Sequence, residues 1–353
     1  MKQLNTYFIS ALLLSSLALT STNTSAQEAA PGAIGHPYPN MPVIATIGER
    51  IDKHITVNES AKGPAIDPAK GYRLQDLGKG LYMITDNAYQ SMFLVYETGV
   101  VVVDAPPPLE KYLLKGIAEV TNKPITHMVY SHMHADHIAA VNSLQLKKGT
   151  PIIAQEETKR LLQRANDPSR PLPTVTFKDK YVLKAGSQVL ELNYYGNAHI
   201  PGNTYIYAPA QRTLMVIDMV FPGWMPWRRF AVAQDIPAYF EQIELINKLD
   251  WDVLVSGHVA RTGTHADVAL QLEFMSDLKK ATSKALAATK AGIDVDVSYG
   301  ENPWAIFDDY IDKVVIQVVN ELTPRWSSRL AAFDIYIWDQ VYSMEQTLRI
   351  EQQ

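Results

Sequence analysis

Seven consecutive residues, Ser131-His132-Met133-His134-Ala135-Asp136-His137, carry the densest chemistry in this chain. Three imidazoles and a carboxylate crowded together suit neither an apolar core nor an ordinary surface. Neutral imidazole and carboxylate are common protein ligands for zinc and bind several other first-row metals. The plainer reading, a polar loop with solvated histidines, fits a lone His better than an H-x-H-x-D-H run. Ahead of the run, Ile125-Thr126-His127-Met128-Val129-Tyr130 reads as a buried strand. Behind it, Ile138-Ala139-Ala140-Val141 reads as the first turns of a helix. The cluster therefore belongs on a strand-to-helix loop, where side chains at alternate positions converge on one point.

The elements around that loop follow from periodicity. Leu81 to Ile84, Met92 to Tyr96 and Val100 to Val103 are short β-rich runs, and the Glu97-Thr98-Gly99 turn joins the last two as a hairpin. Pro106 to Val120 reads as a helix, with Leu109, Leu113, Ile117 and Val120 on one face. Beyond the cluster come a helix, the strand Ile152-Ile153-Ala154 and a charged helix from Glu156 to Arg164. Thr174 to Tyr195 alternates like antiparallel strands. A second hairpin pairs Thr204 to Tyr207 with Thr213 to Ile217; Pro237 to Leu249 is helical, and Trp251 to Val255 is the last strand. Such alternation is buried by an α/β architecture, an αββα four-layer sandwich of two packed mixed β-sheets with helices on both outer faces. From Thr264 onward only helical spacing appears, with a break at Pro324, so an α-helical C-terminal extension is expected. It could cap the catalytic face, form a small second domain or make a dimer interface.

Composition narrows the class. The chain has 353 residues, 47% of them hydrophobic and 20% charged, which is an ordinary globular balance. A net charge of −5 argues against nucleic-acid binding through phosphate neutralisation. There are no cysteines, which excludes disulfides and a thiolate nucleophile and confines a metal site to nitrogen and oxygen ligands. Residues 1–26 read as a signal peptide: Lys2, an apolar Phe8 to Leu19, and Thr24-Ser25-Ala26 before a cut after Ala26. The apolar run is shorter than the roughly 20 residues of a spanning helix. A secreted or periplasmic protein is expected, with residues 27–70 as an extended arm, 71–265 as the catalytic domain and 266–353 as the helical region.

The H-x-H-x-D-H run resembles the metal motif of the metallo-β-lactamase superfamily, and roughly Leu81 to His265 is similar to that family. Gly196-Asn197-Ala198-His199-Ile200-Pro201-Gly202-Asn203 resembles its second motif. Val216-Ile217-Asp218-Met219 resembles the motif whose Asp bridges two metals in the glyoxalase II-like and lactonase-like branches. Val255-Ser256-Gly257-His258 resembles the last. The resemblance implies that His132, His134 and His199 hold one metal and Asp136, His137 and His258 the other, with Asp218 between them. Asp104, after Val100 to Val103, matches an Asp that supports the ligand loop. Each has a plainer reading: His258 as a strand-end His bonded to backbone, Asp218 as a turn or cap residue, Asp104 as turn chemistry. His36, His54, His127 and His265 match no motif and are left structural.

What the resemblance implies for function is an exported dinuclear zinc hydrolase, with two Zn(2+) per chain and Fe or Mn as alternatives. A metal-bridging hydroxide would attack an ester, lactone, thioester or amide carbonyl of a small molecule. Asp136 and Asp218 are its candidate catalytic residues, Asp136 through a proton or as ligand only. The β-lactamase branch with a Cys ligand is excluded. Asp218 argues against the His-only branch, though lactam hydrolysis stays open. An iron-dependent oxidoreductase of the same fold is the rival, although His134 stands where the diiron branch has an acidic residue and no flavin domain is found. A third reading is a binding protein that has kept the fold without catalysis. Trp224, Trp227, Arg228 and Arg229 follow Asp218 and could bind an apolar, acidic substrate, or their loop could pack on the C-terminal helices. The sequence defines neither the substrate nor the oligomeric state.

Overall fold

A computed structural model of the protein describes residues 55–289 and 300–351. The expected signal peptide, and the arm up to residue 54 with His36 and His54, lie outside the described residues. The first sheet has seven strands in sequence order: β1 (Arg73–Gly78), β2 (Leu81–Thr85), β3 (Gln90–Val95), β4 (Val100–Val103), β5 (Ile125–Val129), β6 (Ile152–Gln155) and β7 (Val175–Phe177). Its first four strands run antiparallel, and β4 to β7 run parallel. The second sheet takes the order β12-β11-β10-β9-β8, from β8 (Lys180–Ala185), β9 (Gln188–Asn193), β10 (Tyr205–Ala208), β11 (Thr213–Met215) and β12 (Val253–Val255). Both expected hairpins are present, β3 with β4 and β10 with β11.

Three apolar clusters define four layers. Between the sheets, Met83, Leu94, Val101, Val103 and Val129 meet Leu190, Leu192, Ile206, Met215 and Ile217. The opposite face of the first sheet, through Phe93, Val102, Met128 and Ile152, packs on Leu113 and Ile117 of α1 (Glu110–Val120) and on Leu162 of α3 (Glu156–Ala165). On the second sheet, Tyr205, Leu214 and Leu254 pack on α5 (Ile236–Lys248) and α6 (His265–Ala288). All four β4 valines are fully buried, because this central strand is covered on both faces. Each such side chain contributes roughly 1.5–3 kcal/mol by burial. Truncating Ile206 to Ala in the middle layer would cost about 2–5 kcal/mol.

The C-terminal helices continue the second outer layer. Phe274 and Leu278 of α6, Val314, Val318 and Leu322 of α7 (Pro303–Trp326), and Phe333, Ile337 and Val341 of α8 (Phe333–Gln346) share one core with that sheet. Most apolar positions at helical spacing in this region therefore face protein, whereas Trp304 and Phe307 at the start of α7 are exposed. Pro324 falls inside α7, and the break comes only after Trp326. The carbonyl it deprives of an i−4 donor belongs to Asn320, an exposed residue. Trp326, fully buried against Phe274, secures the last turn. Among the described residues, no helix is long and apolar enough to cross a membrane.

Three elements depart from the sequence reading. The helix expected to begin at Ile138 is instead a single turn ending there, followed by a 3-10 turn at Val141–Leu144. β1 is an extra edge strand; a bulge between Asp76 and Gly78 breaks its alternation, which hides it from a period-two search. β7 leaves the antiparallel stretch expected from Thr174 to Tyr195 and pairs parallel with β6.

Candidate metal centre

The candidate residues gather at one end of the sandwich. β5 ends at Val129, two residues before Ser131 and the cluster; the cluster continues into a single helical turn, α2 (Ala135–Ile138). β11 and β12 run parallel, so Asp218 and His258 beyond their C-terminal ends emerge side by side. His199 lies on the connection between β9 and β10. Bonds between the sheets lock the two halves together: Thr204 N–H donates to Ser131 O at 2.8 Å and Gln90 N–H to Gly257 O at 2.8 Å.

Two donor groups result. His132, His134, His199 and Asp218 form one, and Asp136, His137 and His258 the other, with ligand atoms in each group within 4.8 Å of one another. Asp218 reaches both. Its Oδ2 lies 3.2 Å from His199 Nε2, 3.5 Å from His132 Nε2 and 3.4 Å from His137 Nε2, and its Oδ1 lies 3.0 Å from His258 Nε2. Asp136 Oδ2 stands 3.5 Å from His137 Nε2 and 3.7 Å from His258 Nε2. Ring nitrogens face each other at 3.0 Å between His137 and His258 and at 3.1 Å between His199 and His134. The fully buried His132 Nε2 has no hydrogen-bond partner. Facing imidazole lone pairs, an orphaned buried nitrogen and an all-nitrogen-and-oxygen donor set fit divalent cations.

The backbone around these carboxylates is specialised. Asp104 and Asp218 both adopt left-handed conformations, φ +60° and +63°. That costs roughly 1–2 kcal/mol for most residues, and Asp tolerates it better than most. Asp104 Oδ1 accepts from Ser131 N–H at 2.8 Å, and Ser131 Oγ sits 2.9 Å from His132 Nδ1. Asp104 thus steadies the cluster's first residue. Tyr239 of α5 donates to Met219 O at 2.6 Å, as does Gln271 of α6 at 2.7 Å, and Gln271 Oε1 accepts from Phe221 N–H. The outer helices thereby hold the turn that aims Asp218. None of Tyr239, Gln271, Gln90 or Ser131 stood out as a support in the sequence, because their roles depend on partners 20 to 171 residues away.

Electrostatics follow burial and the shared Asp218. Burial, followed by the neighbouring imidazoles, holds His132 well below the ordinary histidine value. Burial and then His199 bring His134 down to about 4. Burial also opposes charge on His137, but Asp218 and then Asp136 outweigh it and raise the group to about 9. Burial opposes charge on Asp218 as well, yet His137, His258 and His199 keep it well below the carboxylate range. Burial raises Asp104 to about 6, against the pull of His137.

Tyr89 is a neighbour the sequence reading missed. Its ring lies 4.6 Å from that of His258, and its hydroxyl is 3.5 Å from Asp136 Oδ2. Burial, then Asp136 and Asp218, push it up to about 12, so the phenol stays protonated. Phe221 stacks on the other side of His258 at 6.1 Å. The loop carrying the aromatic and basic residues packs on α8. Arg228 pairs with Asp339 at 2.7 Å, Arg229 lies over the Tyr342 ring, and Trp224 Nε1 donates to Ala61 O; the Trp227 side chain stays exposed. His127 bonds Thr126 and His265 stacks on Trp251 at 3.9 Å, both apart from the centre.

Four layers with a histidine- and aspartate-rich centre at one end define an αββα metal-site fold. Residues 85–295 match the profile of the metallo-beta-lactamase superfamily, and the chain belongs to that superfamily. It is 27% identical over 223 residues to the 2,4-dinitroanisole O-demethylase subunit alpha of Nocardioides sp. (strain JS1661); the alignment takes in 61% of this chain and 65% of that relative's length. Among solved structures it is similar to a metallo-beta-lactamase from Pontibacter korlensis (20% identity, 57% of this chain and 97% of that one, TM-score 0.49). It is also similar to metallo-beta-lactamase IND-7 (18% identity, 59% and 99%, TM-score 0.48).

Proposed function

We propose that the protein is an exported dinuclear zinc hydrolase acting on an ester, lactone, thioester or amide carbonyl of a small molecule. The observation that carries this reading is Asp218, whose two oxygens face the nitrogens of both donor groups. His132, His134 and His199 would hold one ion, and Asp136, His137 and His258 the other. Two divalent cations so held would lower the pKa of a water between them and polarise the scissile carbonyl.

The chain's own residues supply the rest. Asp218 would help hold both ions and, with Asp136, would offset part of their charge while leaving a net positive centre for an anionic transition state. The Asp136 side chain, 46% exposed, stands on the open side, where it can pass a proton to a leaving group. Tyr89 and Phe221 flank His258 and limit water on that side. The loop from Phe221 to Gln234 is tied to the centre at both ends: Phe221 stacks on His258, and Gln234 N–H donates to His199 O. Trp227 in its middle offers an apolar face, whereas Arg228 is engaged by Asp339. Trp227→Ala is therefore expected to raise KM for aromatic or acyl substrates more than Arg228→Ala does.

The name of the Nocardioides relative favours a second substrate class for the same centre, activated aryl methyl ethers, whose nitrophenolate leaves readily. Lactam hydrolysis and iron-dependent oxidoreduction are the remaining alternatives. Metal content, together with chromogenic lactone, thioester, lactam and phosphodiester substrates and 2,4-dinitroanisole, tests the reading. Two zinc ions per chain and carbonyl-substrate turnover are expected. One iron with oxygen consumption would overturn it.

A further inference from the structure

We infer that residues 58–64, ahead of the first sheet, belong to the metal centre as a strap that positions the His258 loop against the Asp218 loop. The inference rests on the two-ion reading above. The sequence marks this stretch only as arm, yet its backbone is tied to both ligand loops. Asn58 caps a short 3-10 turn, Glu59–Ala61, by accepting from Ala61 N–H at 3.1 Å. On the Asp218 side, Trp224 Nε1 donates to Ala61 O at 2.8 Å, and Ala61 is fully buried. On the His258 side, Arg261 Nε donates to Ser60 O at 2.7 Å. Asn87, two residues before Tyr89, donates to Pro64 O at 3.2 Å.

The closest approaches are backbone on backbone. A Cβ on Gly63 would lie 2.0 Å from Ala260 O and 2.6 Å from Ala260 C, two residues beyond His258. A Cβ on Gly223 would lie 2.8 Å from Ala61 Cα. Gly63 has no positive φ, so space alone demands glycine there. The opposite side of the His258 loop is held by Gln90, whose Nε2 donates to Val259 O and Arg261 O at 2.9 Å. The loop is thus gripped between the first sheet and the strap. A shift at Ala260 has one direct route to a ligand, through His258 to the second donor group. His132, His134 and His199 are held by contacts that do not involve the strap.

Metal-free wild type and Gly63→Ala are titrated with Zn2+ against a chromophoric chelator, which resolves two binding steps. Gly63→Ala is expected to weaken the weaker step at least tenfold and to leave the tighter step within twofold. Asn87→Gly removes the bond to Pro64 without adding bulk, suits the positive φ of that residue, and should produce a smaller loss of the same kind; it decides the matter if Gly63→Ala fails to fold. Ile117→Ala, a core truncation under the opposite layer, lowers thermal stability and should leave both steps unchanged. Equal weakening of both steps, or no change in either, in the folded variants overturns the inference. A wild type that binds fewer than two ions overturns the two-ion reading first.

Discussion

His132, His199 and Asp218 lie sealed beneath the sheet ends with side chains 0, 1 and 6% exposed, whereas Asp136 and His258 keep 46 and 21% of theirs open to solvent. The same residue types therefore work in two different media. In the sealed group, water cannot satisfy His132 Nε2, so a cation recovers an interaction that nothing else provides. In the second group His137 is buried as well, and water competes only for Asp136 and His258, so a cation gains less there. On the proposed two-ion reading, the contrast would give tight retention to the first group and exchange, substrate access and proton traffic to the second.

The largest test removes what the groups share. Asp218→Asn keeps a residue that tolerates φ +63° but loses the charge facing both groups; turnover should fall by roughly 100-fold or more, with both ions weakened. Loss of only one ion would dissolve the symmetry of the bridge. Next, His199→Ala should abolish the tighter of two Zn2+ steps and His258→Ala only the weaker, read by chelator competition. The reverse order would break the comparison.

Asp104→Asn preserves the acceptor for Ser131 N–H while removing a buried carboxylate. Metal affinity should drop about 10- to 100-fold, as for other outer supports of ligands, and mainly in the sealed group. Proton competition sharpens the contrast further. His137 is raised to about 9, so in the metal-free protein its protonated form stabilises the fold below about 6.5, and that contribution fades as pH rises through 9. Metal uptake must displace this proton. Zn2+ affinity of the group containing His137 should therefore climb with pH up to about 9, with proton release measurable by titration calorimetry in different buffers. A flat profile would remove His137 from the ligands. The smallest effect on turnover is expected at Arg228→Ala, where the half-exposed guanidinium leaves the buried Asp339; stability should fall by about 1–3 kcal/mol and kcat stay unchanged.

Residue type and local spacing by themselves determined the cluster at 132–137, its strand-to-loop setting, the two hairpins and the nitrogen-and-oxygen donor set, because each depends on neighbours a few positions apart. Resemblance of the later motifs to those of the superfamily, not local spacing, marked His199, Asp218 and His258. Tertiary structure alone decided at what distances Asp218 meets the two groups, that His132, His199 and Asp218 are sealed while Asp136 and His258 are open, and that Tyr89 borders them. It also turned the loop at Trp224 to Arg229 onto α8 and drew residues 58–64 against Ala260 and Trp224. Those outcomes depend on contacts spanning tens to hundreds of residues, on bulges such as that in β1, and on steric limits like the space at Gly63. No local pattern encodes such contacts; they arise only when the two sheets close on each other.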